Sequence, residues 1–169
     1  MKFNEALLKI NAVVLKDYPL AQFYEAQGFL VPTENVGCNV DGTIDTARFR
    51  VAYNYYDENK KQKTLIGTFN EDVTVNVQVV NDVWIEDIIM TPYISMECAD
   101  AIEILCRKYG SDVVKSGPVT LRHQLFPGEA EPRYFFGSLG RVHTVNVYTG
   151  KVDVPAGDNK IIRLIKSFF

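Results

Sequence analysis

The chain has 169 residues, 47% hydrophobic and 12% aromatic, enough to bury a core without disulfide or metal staples. Its formal net charge of -3 offers nothing to a polyanion, so no nucleic-acid partner is expected. Lys9 and Asn11 interrupt the apolar stretch from Ala6 to Leu15, and Lys16-Asp17 follows it, so this stretch reads as neither a signal peptide nor a membrane span, and no membrane insertion is expected.

With Met1 as the native start, the chain is expected in the cytoplasm; removal of a signal peptide would place it in the periplasm or outside the cell. From Asn4 to Lys16, Leu7, Ile10 and Val14 fall on one face at helical spacing. Asn4 reads as the N-cap and Tyr18-Pro19 as the stop. The runs Leu20 to Val31, Arg48 to Tyr56, Thr64 to Phe69 and Val73 to Val80 are rich in β-branched and aromatic residues and read as strands. Strict alternation from Val73 to Val79 predicts one buried and one wet face. The segments 32–45 and 57–63 read as loops, the second as an exposed hairpin tip containing Lys60.

A second helix is expected from Ser95, whose hydroxyl can cap, through Ile102 and Leu105 to Gly110. Strand-like runs follow at Val113 to Phe126, interrupted by Gly117-Pro118, then at Tyr134 to Gly137 and Val142 to Val147. Both halves read as a helix followed by antiparallel strands, which suggests an internal duplication. The expected fold class is α+β, a helix packed on a curved antiparallel sheet, in one unit or two. In the two-unit reading, residues 1–90 form a first helix-plus-sheet unit and 91–169 a second that carries an apolar C-terminal tail.

The stretch Ser95-Met-Glu-Cys-Ala-Asp-Ala-Ile-Glu-Ile-Leu, with Pro132-Arg-Tyr-Phe-Phe and Val145-Asn-Val-Tyr-Thr-Gly-Lys-Val, resembles the PepSY-like domains, which are cystatin-like units. The resemblance spans about residues 93–154. It implies a helix on a curved antiparallel sheet and a non-enzymatic module, often extracytoplasmic, that inhibits peptidases or binds other proteins.

No constellation of residues carries a catalytic signature. Cys38, Cys98 and Cys106 are odd in number and lack CxxC spacing, so free, mostly buried thiols are expected. His123 and His143 have no second ligand at metal spacing, and Gly137-Ser-Leu-Gly140 reads as a hairpin turn rather than a nucleophile elbow. Asn39, Asp41 and Asp45 surround Gly42 without a closing glutamate, which argues against calcium. Glu86 and Asp87 are adjacent in a strand-like run and point to opposite faces, so they cannot act as an acid–base pair. Trp84 is expected as a core or inter-repeat wedge rather than a ligand platform.

The reading is therefore a non-catalytic protein-binding or inhibitory module, with no enzyme activity, cofactor or metal expected. Its partner would be a protein or peptide, bound through Asp41, Asp45, Tyr53, Tyr55 and Lys60. The alternatives are a small cytoplasmic toxin-neutralising protein or a small-ligand carrier. The apolar, basic tail 160–169 is expected to cover the sheet or to join two copies as a homodimer.

Overall fold

The structure is a computed structural model that describes residues 1–32, 40–84, 88–91, 94–110, 113–114, 117–123, 131–137 and 142–153. Cys38, Asn39, Glu86, Asp87, residues 138–140 of the Gly137–Gly140 turn and the tail 160–169 lie outside the described residues.

The first helix, α1, runs Phe3–Asp17 and buries Leu7, Ile10 and Val14 as its spacing requires. Four strands follow: β1 (Gln22–Phe29), β2 (Arg50–Tyr56), β3 (Gln62–Phe69) and β4 (Val75–Val80). The second helix, α2 (Cys98–Tyr109), precedes β5 (Pro118–Arg122), β6 (Arg133–Phe136), β7 (His143–Asn146) and the short β8 (Val152–Asp153). All eight strands form one antiparallel sheet in the order β4-β3-β2-β1-β5-β6-β7-β8. This is the expected α+β class, with helices on a curved, unclosed sheet.

Residues directly opposite one another across a ladder share a face. One row therefore crosses the whole sheet: Val77, Gly67, Val51, Ala26, Leu121, Tyr134, Val145 and Val152. Both helices pack on this face. The Ile10 methyl sits over Gly67, and the hydroxyl of Tyr134 donates to the carbonyl of Met96 (2.9 Å) just before α2. Burying this row beneath the two helices makes one continuous core.

The apolar residues Phe23 and Ala26 stand three apart in β1, which simple alternation would send to opposite faces. A β-bulge between Phe23 and Glu25 absorbs one residue, so Phe23 faces Tyr53 and Ala26 faces Val51 on the same side. Met90 bridges to Phe23 at this irregularity, its N–H donating to the Phe23 carbonyl (2.8 Å).

Several boundaries differ from expectation for local reasons. Asp45 accepts the Ala47 N–H (3.1 Å) and starts a short 3-10 turn at Thr46–Arg48, which delays β2 until Arg50. Asn4 lies inside α1 rather than at its cap. The capping position is held by Lys2, whose side chain caps nothing. Helix α2 begins at Cys98, and Ser95 instead donates to the Val147 carbonyl (2.9 Å). Gly110 ends α2 at positive φ, as expected.

The strand expected from Val73 begins two residues later because Val73 belongs to the turn. Its N–H donates to Asn70 (2.9 Å), while the Asn70 N–H donates to Thr74 (2.8 Å) and Val73 sits at φ 63°. That is a type I turn closed by a bulge whose left-handed position ordinarily takes glycine. The same bonding recurs at Asp57, Lys60 and Lys61, with Lys60 at φ 58°. A β-branched residue is the least suited to such a position. Val73→Gly is therefore expected to stabilise the fold by about 1 kcal/mol, read as a higher urea midpoint with an unchanged slope. An unchanged or lower midpoint would contradict it.

The alternation from Val75 to Val79 leaves only Val75 and Val77 half-buried, because β4 is a sheet edge with no neighbour on its far side among the described residues. Cys98 is a free, buried thiol, and burial pushes its pKa up, which makes it unreactive. Cys106 departs from the expectation of a free, buried thiol: it is half-buried and disulfide-bonded. Helical spacing excluded a Cys98–Cys106 bond and carried no further information about Cys106.

Candidate binding face

The face opposite the helices is built by the residues that alternate with the core row. One row on it runs Asn76, Thr68, Arg50, Gln27, Thr120, Phe135, Thr144 and Asp153 through all eight strands. The row beside it runs Gln78, Ile66, Ala52, Glu25, Arg122, Arg133 and Asn146. The helices α1 and α2 pack on the other side of the sheet, and on this side Arg48 of the 3-10 turn lies over the Phe29 ring.

Side-chain contacts hold these rows in fixed positions. The Arg50 guanidinium donates to Gln27 (3.0 Å), pairs with the buried Glu25 carboxylate (3.4 Å) and lies 5.7 Å over the Trp84 ring. Trp84 is half-buried beside Arg50 on this face. Gln27 donates to Thr120 (3.4 Å), and Arg122 lies over the Phe135 ring at 5.1 Å.

Further along, Arg133 is 1% exposed. Its charge is met by Asp153 at 2.8 Å, with the Thr144 hydroxyl at 3.3 Å. A buried arginine without such partners would cost several kcal/mol, so this end of the face is rigid by necessity. Gln27, Thr120, Arg122 and Phe135 remain half-exposed between the two fixed ends.

A second concavity lies where the two helices start. The segment Val40 to Asp45 passes beneath α1: the Phe3 N–H donates to Gly42 (2.9 Å), and the Ile44 N–H donates to Met1 (3.0 Å). Gly42 adopts φ 81° against the backbone of Ala99, so the strap touches the first turn of α2. Lys2, Asn4, Asp41, Gly42, Glu97 and Asp100 line a cavity of about 270 Å³ there.

Its electrostatics are settled internally. The hydrogen bond from Lys2, with help from Thr43, holds Asp41 at a pKa of about 2. Desolvation, and then the charge of Asp100, raises Glu97 above the ordinary carboxylate range. Asp100 itself accepts the Glu97 N–H (3.2 Å), an N-terminal capping contact.

The five residues expected to bind are spread over separate elements. Asp41 lines the notch, and Asp45 caps the 3-10 turn. Tyr53 is 1% exposed beneath α1, where its hydroxyl donates to Asn11. Tyr55 is half-buried, with its ring 5.0 Å from that of Tyr18. Lys60 sits exposed at the β2–β3 hairpin tip.

His123 is buried, and desolvation lowers its pKa despite a bond to the Ile89 backbone. The His143 ring lies tilted against that of Tyr109, with the centroids 5.2 Å apart. Among the described residues no group of three or more His, Cys, Asp or Glu could hold a metal ion, and no helix is long and apolar enough to cross a membrane.

The row through Arg50, Gln27, Thr120 and Phe135 was not anticipated. The row forms only once β1 pairs with β5, a contact that no local pattern encodes. Comparison of the chain with protein families, with characterised proteins and with solved structures finds no match.

Proposed function

We propose that the chain is a non-catalytic protein-binding module of PepSY-like type, with an inhibitory role open to it, and that it takes its partner on the sheet face opposite the helices. The observation that carries this reading is the row Arg50, Gln27, Thr120 and Phe135. It sets charged, amide, hydroxyl and aromatic groups side by side on four neighbouring strands and holds them by side-chain contacts. A pre-organised surface of mixed polarity with an aromatic centre binds protein without first paying to order its side chains.

Two further features support the finer parts of the reading. Each half has the order helix and then four strands, and the strand order is symmetric about the β1–β5 pair, as a duplicated unit would give. The disulfide at Cys106 favours an oxidising compartment, in line with the extracytoplasmic setting of such modules.

Trp84, the only tryptophan, stands on this face beside Arg50 and supplies the readout. The wild-type chain is used as bait on extract from its source cell, and the captured protein is then titrated while tryptophan emission is followed. Thr120→Lys, a half-exposed change in the middle of the row, is expected to weaken binding at least about tenfold, with stability altered by less than about 1 kcal/mol. A partner that binds Thr120→Lys as tightly as wild type would refute this assignment of the face.

A further inference from the structure

The outer edge of β4 has an unusual composition. Val75-Asn-Val-Gln-Val-Val80 contains no charge and no proline, the two devices by which exposed edges commonly avoid pairing. The acidic residues nearest to it, Asp72 and Asp82, lie in the flanking turns.

The hairpin bonds at Asn70 fix the phase of the β3–β4 ladder. Thr68 exchanges bonds with Asn76 and Ile66 with Gln78, which turns the N–H and C=O groups of Val75, Val77 and Val79 away from β3. Among the described residues nothing accepts or supplies a hydrogen bond there. Val79 is 42% exposed at the same edge.

The run is also self-complementary. When two copies meet antiparallel about a two-fold axis at Val77, each Val77 faces the other, Val75 faces Val79 of the second copy, and Asn76 faces Gln78. From Val75 to Val79 every valine meets a valine and every amide an amide, while Val80 faces Thr74. This register engages all three outward-facing residues of each copy, whereas a shift of the axis by one residue leaves one of them unmatched. An isologous contact requires this kind of symmetry in a single stretch of chain.

We propose that two copies of this chain pair through β4, antiparallel and centred on Val77, which joins the two sheets into one. In the pair each copy donates three backbone N–H groups and accepts three. The valines continue the helix-side row of each sheet, while the amides form cross-strand pairs on the other face. This surface differs from both the proposed partner face and the C-terminal tail.

Sedimentation equilibrium of the full chain from micromolar to millimolar concentration tests the idea, together with residue-resolved amide exchange. The expected result is a monomer–dimer equilibrium in which the amides of Val75, Val77 and Val79 become protected as concentration rises. Those of Asn76, Gln78 and Val80 should be protected throughout. Val79→Lys is expected to raise the dimer dissociation constant at least about tenfold.

Val77→Pro removes an outward N–H and no bond to β3, so it should also give a monomer with little change in thermal midpoint. Should that variant fail to fold, Val79→Lys still decides the matter. A chain that stays monomeric at millimolar concentration overturns the proposal. So does a dimer that survives Val79→Lys, since the interface would then lie elsewhere, for example in residues 160–169.

Discussion

Asn4→Ala is expected to lower stability by about 2–4 kcal/mol, a fall in melting temperature on the order of 5–15 °C for a chain of this length. The effect is large because Asn4 serves a helix other than its own. Its side-chain oxygen accepts the N–H of Cys98 (2.8 Å), the first residue of α2, and its amide donates to the Tyr134 hydroxyl (3.0 Å). The Tyr134 hydroxyl in turn donates to the Met96 carbonyl (2.9 Å), so a buried chain of bonds joins α1, the start of α2 and β6.

Truncation at Asn4 leaves the buried Cys98 N–H without its acceptor, although the Glu97–Asp100 capping contact remains. The loss should appear first as faster amide exchange at Cys98 and Ala99. Asn4→Asp, which keeps an acceptor for Cys98 but loses the donor to Tyr134, should fall between wild type and alanine. Melting of Asn4→Ala within a degree or two of wild type would show that water replaces the side chain at no cost.

The second large effect is expected at Gly67. A Cβ there would lie far inside van der Waals contact with the Ile10 Cγ2 methyl, and Val14 is also close by. The absence of a side chain is what lets α1 descend onto β3, so Gly67→Ala should cost about 1–3 kcal/mol and Gly67→Val more, by overpacking. The diagnostic is the pair with Ile10. Ile10→Ala alone should cost about 2–5 kcal/mol as a cavity, and adding Gly67→Ala to it should cost little or nothing. The resulting coupling of at least about 1 kcal/mol, measured by urea denaturation of the four proteins, would be absent if α1 simply moved away from the sheet.

Regular patterns in the sequence carried most of the elements. The 3.6-residue spacing of Leu7, Ile10 and Val14 was legible because it reflects a face that must be buried, and the β-branched and aromatic content of the β2 and β3 runs marked them as strands. What was not legible depended on a distant partner. Phe23 and Ala26 broke the period of two, a signal of the bulge that becomes readable once both residues are required on one face. Val73 looked like a strand residue by propensity, yet the turn that begins at Asn70 overrides propensity there.

Asn4 had the residue type of a cap, and it is one, but for a helix that starts at Cys98. The disulfide at Cys106 was not legible in its helical spacing either. The proposed binding row needs four strands in the correct order before Arg50, Gln27, Thr120 and Phe135 become neighbours.

The symmetric strand order also bears on how the molecule is made. Every strand pairing except one joins strands that are consecutive in the chain; the exception is β1 with β5, where Ala26 meets Leu121. During synthesis α1 and β1 to β4 emerge first and can close their hairpins locally, at small cost in loop entropy. Until β5 leaves the ribosome, however, Gln22–Phe29 has a bare flank beside apolar residues that the finished molecule hides. The seam at the centre of the mature sheet is thus the outer border of the half-made one, the stretch most open to mispairing in the nascent chain.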